Sequence, residues 1–94
     1  KVDNGILDKS YDVIFTNGDK VEFDRKGNWT DVDCKYSVVP VGIVPTEIVK
    51  SVKSKYPDAK IIQIERDNRH YDVDLSNGWE LKYNKQFKLV DIEK

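Results

Sequence analysis

The chain has 94 residues, a length that supports one domain with a modest core. Its 16 Lys and Arg against 17 Asp and Glu leave a net charge of -1, which indicates neither a nucleic-acid footprint nor an acidic tail and excludes long-range charge steering as its mechanism. A single cysteine, Cys34, excludes an intramolecular disulfide, and no apolar run approaches the roughly 20 residues of a membrane span.

The residues ahead of Ser10 carry a poor strand pattern. From Tyr11 the pattern sharpens: apolar and polar residues alternate through YDVIF and again through KVEF, as in half-buried strands. The loop between them reads as Thr16-Asn17-Gly18 with Gly18 left-handed, because only this register sets Val13 opposite Val21 and Tyr11 opposite Phe23. Asp24-Arg25-Lys26-Gly27 reads as a type I turn with Gly27 left-handed, leading into a strand through Trp29 and Val32. The run SVVPVGIVP is apolar but broken by Pro40, Gly42 and Pro45, so it is expected to be a loop that docks.

Pro45-Thr46-Glu47 then opens a helix, and Tyr56-Pro57 closes it, since the residue before a proline resists helical angles. Ile48, Val49, Val52 and Tyr56 form its apolar stripe and leave Lys50, Lys53 and Lys55 for solvent. Lys60 to Arg66 reads as a strand. Tyr71, Val73 and Leu75 then alternate with Asp72 and Asp74. A loop of Ser76-Asn77-Gly78 pairs Leu75 with Trp79, Val73 with Leu81 and Tyr71 with Tyr83, placing all six on one face. In the last turn Phe87 stands where the first segment has Gly27, so a different turn is expected from Asn84 to Lys88.

Set one above the other, Tyr11 to Asp33 and Tyr71 to Glu93 align without a gap. Tyr11, Asp12, Val13, Asn17, Gly18 and Asp31 recur as Tyr71, Asp72, Val73, Asn77, Gly78 and Asp91. Agreement at core and turn positions together indicates a duplicated unit. The expected architecture is a single α+β domain, residues 1–94, with repeat units at approximately 1–36 and 45–94 and a connecting loop at 37–44. Its antiparallel sheet comprises two repeated four-strand meanders, and one amphipathic helix packs on it.

The stretch VPTEIVKSVKSKYPDAKIIQIERDNRHYDVDLSNGWELKYN resembles the PepSY-like, β-lactamase-inhibitor-like family of exported bacterial proteins. The likeness rests on the helix from Pro45, the Tyr56-Pro57 stop, the strand through Ile61 and Ile64, Tyr71-x-Val73, and Asn77-Gly78. The resemblance implies a helix on an antiparallel sheet, a periplasmic or cell-surface location, no cofactor, and a role in binding or inhibiting a protein such as a peptidase or other hydrolase. In that family each sheet unit follows its own helical segment. Nothing helical precedes Tyr11, and methionine is absent even from the first position, so the sequence reads as a processed or trimmed product whose first helix is missing or was removed.

The chemistry-bearing residues do not assemble into a recognisable active site. Asp72-Val73-Asp74-Leu75-Ser76-Asn77-Gly78 has the look of a calcium loop, but an EF-hand needs Gly where this has Asn77 and Glu where this has Tyr83. Solvated aspartates on a strand account for it, and no metal is expected. Cys34 and His70 would need to meet, with a third group to orient them, to form a nucleophilic pair. The lysines of the helix suit a solvated face better than nucleic acid. Two catalytic carboxylates would need a pocket, and short strands joined by tight turns offer no long loop to build one.

The expected function is therefore noncatalytic protein or peptide binding, or a structural role within a larger envelope protein. With one helix to cover the sheet, leftover apolar surface is expected at Ile14, Trp29, Val41, Ile43 and Trp79, with self-association through exposed sheet as an accompanying outcome. Trp79 is weighed against a core role beside Leu75.

Overall fold

A computed structural model describes residues 11–34, 37–40 and 42–94. Seven strands and one helix occur in the order β1 (Tyr11–Ile14), β2 (Lys20–Phe23), β3 (Trp29–Asp33), α1 (Thr46–Lys55), β4 (Ile61–Arg66), β5 (His70–Leu75), β6 (Glu80–Asn84) and β7 (Leu89–Glu93). They form one antiparallel sheet whose spatial order follows chain order, β1 to β7, with α1 packed on one face. Three of the described strands precede α1 and four follow it. The strand expected ahead of Ser10 lies outside the described residues; the described strands form one seven-stranded meander, with α1 in the connection between the adjacent strands β3 and β4, and not two separate four-strand meanders.

The hairpins form as their glycines dictate. Gly18 and Gly78 take φ of 96° and 94°, a region in which a Cβ clashes with the backbone. Each closes a tight loop: the amide of Gly18 donates to the Phe15 carbonyl at 2.9 Å and that of Gly78 to the Leu75 carbonyl at 3.1 Å. The deduced registers follow, with Val13 opposite Val21, Tyr11 opposite Phe23, Val73 opposite Leu81 and Tyr71 opposite Tyr83.

The turn after β6 departs from expectation. It has the same hydrogen bonds as its counterpart after β2, with the Phe87 amide donating to the Asn84 carbonyl at 2.9 Å. Phe87 itself adopts the left-handed conformation, φ 66°. The strain, about 1 kcal/mol for a residue with a Cβ, is offset by packing: the Phe87 ring lies 5.5 Å from that of Tyr71 and against the core.

Helix α1 begins after Pro45, carries Glu47 in its first turn and Lys53 and Lys55 in its last, and ends where the Tyr56 amide donates to the Val52 carbonyl at 2.7 Å. That charge order suits the helix dipole. Ile48 and Val52 are buried, with Val49 and Tyr56 packed beside them. The loop ahead of the helix docks as expected. Its Val39 amide donates to the Ile61 carbonyl at 2.9 Å, and Val39 and Val44 enter the core.

Candidate functional site

Because residues paired across strands share a face, the registers define two rows that cross the sheet on the helix side. One runs Val13, Val21, Val32, Ile64, Val73, Leu81, Ile92 from β1 to β7. The other runs Tyr11, Phe23, Trp29 and, across β5 to β7, Tyr71, Tyr83, Leu89. The apolar pattern is continuous, but its cover is not. Ile64, Val73, Leu81 and Tyr83 are wholly buried in the cluster with Ile48 and Val52 of α1, and the Tyr83 hydroxyl donates to Ser51 Oγ at 2.9 Å.

Toward β1 the same rows emerge into solvent. Tyr11 is 51% exposed where its counterpart Tyr71 is 7%, Val13 is 40% where Val73 is 0%, and Phe15 is 51% where Leu75 is 2%. Tyr11 stacks on Phe23 at 5.6 Å, so this end is an ordered aromatic surface. It is the largest grouping of exposed apolar residues among the described residues.

The residues singled out from sequence fall in different places. Ile14 is 69% exposed but points to the opposite face, beside Asp12. Trp29 is half-buried beneath the guanidinium of Arg66, 3.9 Å from its ring centre, and Arg66 Nε donates to the Trp29 carbonyl at 2.7 Å. Trp79 stacks on Tyr56 at 6.1 Å and packs against the core. Ile43 is also packed against the core, and Val41 lies outside the described residues. The open end gathers Tyr11, Val13 and Phe15 instead. Nothing local in the sequence marks them as exposed, since each aligns with a residue of the covered unit.

The opposite face is acidic. A row of Asp12, Glu22, Asp31, Glu65, Asp72, Lys82 and Asp91 crosses all seven strands, and Asp74, Glu80 and Glu93 form a second row. Burial, then the charges of Asp31 and Asp72, holds the Glu65 carboxyl above its ordinary value. Burial, then Glu80 and Asp72, does the same for Asp74. Lys82 reaches Asp72 at 4.0 Å.

Cys34 and Asp19 form a buried polar cluster that the sequence did not announce. Asp19 Oδ2 accepts from Ser37 Oγ and from Asn17 Nδ2, the latter at 3.0 Å. Burial, and secondarily the Asp19 charge, pushes the Cys34 thiol up, away from the nucleophilic thiolate. Cys34 sits at the Ile62 end of β4, its amide donating to that carbonyl at 2.7 Å, whereas His70 sits beyond the other end of β4, its carbonyl accepting from Asp67. The two do not meet.

Residues 9–91 match the family described as "Putative beta-lactamase-inhibitor-like, PepSY-like". The chain belongs to this family. Among solved structures of similar fold, a "putative periplasmic protein" of Bacteroides vulgatus ATCC 8482 is 60% identical, with a TM-score of 0.93, over 98% of this chain and 72% of its own. A "putative calcium-regulated periplasmic protein" of Bacteroides thetaiotaomicron is 56% identical, with a TM-score of 0.92 and the same coverage. A second Bacteroides vulgatus protein, "of unknown function", is 34% identical over 90% of this chain and 68% of its own, with a TM-score of 0.85. No curated protein matches the chain.

The calcium in one neighbour's description can be set against the carboxylates of this PepSY-like chain. Calcium takes about six to eight oxygens. Among the described residues no three His, Cys, Asp or Glu side chains are grouped to hold an ion. The acidic rows are spread at strand spacing with Lys82 among them, a donor set that does not fit a calcium chelate.

Proposed function

We propose that this PepSY-like chain is a noncatalytic domain of the bacterial periplasm that binds a protein or peptide on the open β1–β2 end of its apolar sheet face. The observation that carries the reading is the contrast between Tyr11 and Val13, half exposed, and Tyr71 and Val73, buried at the equivalent positions. An ordered aromatic and aliphatic surface flanked by polar turns is what the core of a protein interface requires. The periplasmic location follows the descriptions of the neighbours, and the family description supports occlusion of a hydrolase as the form that binding takes.

The test is photo-cross-linking in an envelope extract, with the reactive group at Val13 or, as a control, at Val90. Val90 is 52% exposed and lies in β7, at the far edge of the sheet from β1. The reading expects a discrete adduct from Val13 and none from Val90, abolished by Phe15→Lys. Equal labelling from both sites would contradict it.

The repeat favours a second reading, a structural module of a larger envelope protein. Helix α1 begins at Thr46, fifteen positions before Ile61 of β4. The sixty-residue offset puts its counterpart for the first unit ahead of Lys1, where it would cover Tyr11 and Val13. Light scattering on this chain and on one extended upstream in its gene separates the readings. If the short chain associates and the long one is monomeric, the open face is covered by upstream chain; if both are monomeric, the face is free for a partner.

A further inference from the structure

A groove of about 280 Å³ runs between α1, the docked loop and the start of β4, lined by no residue of β1 or β2. Its inner surface is aliphatic, formed by Val39, Val52 and Ile61 with Val49 and Val38 as walls. The walls are fixed by backbone hydrogen bonds. The Val39 amide donates to the Ile61 carbonyl at 2.9 Å, and the Lys60 amide donates to Ser76 Oγ at 2.9 Å while its carbonyl accepts from the Ser76 amide at 2.8 Å. The groove is therefore formed before anything enters it, the condition that keeps the ordering cost of binding low.

Two cations line it as well. Lys53 comes from the last turn of α1 and Lys60 from the approach to β4, and both are exposed. Among the described residues neither ammonium has a carboxylate within ion-pair distance, although acidic residues crowd the far face of the sheet. An apolar cleft bordered by two exposed ammoniums is complementary to a molecule with an apolar tail and a negative head.

We propose that this groove binds a single-chain anionic amphiphile, an alkanoate of medium length, with its tail along Val39, Val52 and Ile61 and its carboxylate between Lys53 and Lys60. The length follows from the volume: a methylene takes up about as much space as a water, roughly 30 Å³, so the groove holds about eight to ten carbons. Each methylene withdrawn from water strengthens binding about three- to fourfold, so affinity climbs from hexanoate to decanoate and stops climbing once the groove is full.

The experiment is a titration of ¹⁵N-labelled protein, below micelle-forming concentrations, with hexanoate, octanoate, decanoate, dodecanoate, decanol and decyltrimethylammonium. The expected result is saturable shifts at Val39, Val49, Val52, Ala59 and Ile61, with decanoate binding at least tenfold more tightly than decanol. Charge reversal by Lys53→Glu with Lys60→Glu is expected to weaken decanoate at least tenfold and to strengthen the cationic amphiphile. Lys53→Gln with Lys60→Gln supplies the same loss with less disturbance of the helix end. The proposal is overturned if decanol and decanoate bind equally, if the lysine variants leave decanoate unchanged, if no ligand saturates, or if the shifts fall at Tyr11, Val13 and Phe23, as for adsorption to the open sheet face.

Discussion

The two halves of this sheet carry one apolar pattern and meet opposite fates. In the second unit Val73, Leu81 and Tyr83 lie under α1 with no solvent contact, while in the first Val13, Val21 and Phe23 occupy the matching positions and reach water. Alternation and hairpin register decide which side chains share a face. They do not decide whether that face is covered, because cover depends on an element packed from elsewhere in the chain. The same sequence motif thus serves as core in one unit and as surface in the other.

Truncations in the covered half should show this most strongly. Leu81→Ala removes a wholly buried side chain from the core that also holds Ile48 and is expected to cost about 3 kcal/mol, against less than about 1 kcal/mol for Val21→Ala, read by urea unfolding. Similar costs would mean that the first unit is packed in solution.

A smaller effect comes from the guanidinium that closes the border between the units. Arg66→Met removes the cation from the Trp29 face and the hydrogen bond to its carbonyl, at an expected cost of about 1 to 2 kcal/mol, with a change in tryptophan emission. Loss of stability without a change in emission would separate Arg66 from Trp29.

The paired turns offer a finer comparison. Phe87→Ala keeps the left-handed strain and loses the ring on Tyr71, so it is expected to cost about 1 to 2 kcal/mol. Phe87→Gly loses the ring but relieves the strain, and should be the more stable of the two by about 1 kcal/mol. The reverse order would mean that the backbone at position 87 is not left-handed in solution.

The smallest effect is on pH. Glu65 and Asp74 are held above their ordinary values of 4.5 and 3.8, so the folded state binds protons more readily than the unfolded chain. Their contribution is full below the unfolded values and lost as pH rises through the folded ones, so the melting temperature should rise modestly on acidification from pH 7 toward 4.5. Asp24 and Asp67 have the opposite sign. Backbone amides of Asn28, and of Arg69 and His70, donate to these carboxylates and hold both below 3.8, so their stabilisation is lost as pH falls further. A melting temperature that falls steadily from pH 7 would contradict repulsion across the acidic face. Added salt should raise stability at pH 7 more than at pH 4.5, because screening acts on charges that are then present.

Much of the architecture was legible in the residues. Gly18 and Gly78 fixed the loops, alternation fixed the registers, and Pro45 and Pro57 bracketed the helix. The Phe87 turn was not, because glycine at a left-handed position is a preference that one aromatic contact outweighs. Burial of Asp19 was hidden because its partner Ser37 is eighteen residues away and a loop aspartate reads as solvated. The cap on Trp29 comes from Arg66, thirty-seven residues on, with no local signal. The open surface was legible only in part: Ile14 is exposed as expected, but Tyr11 and Val13 look identical to their buried copies.

That identity supplies the most direct test. Val13→Ala and Val73→Ala delete the same two methyl groups at equivalent register positions, one in each unit. Equilibrium urea unfolding of both variants is predicted to give a loss of about 2 kcal/mol for Val73→Ala and less than about 0.5 kcal/mol for Val13→Ala. Equal losses would contradict the account, because they would show that the first unit's face is as fully covered as the second's.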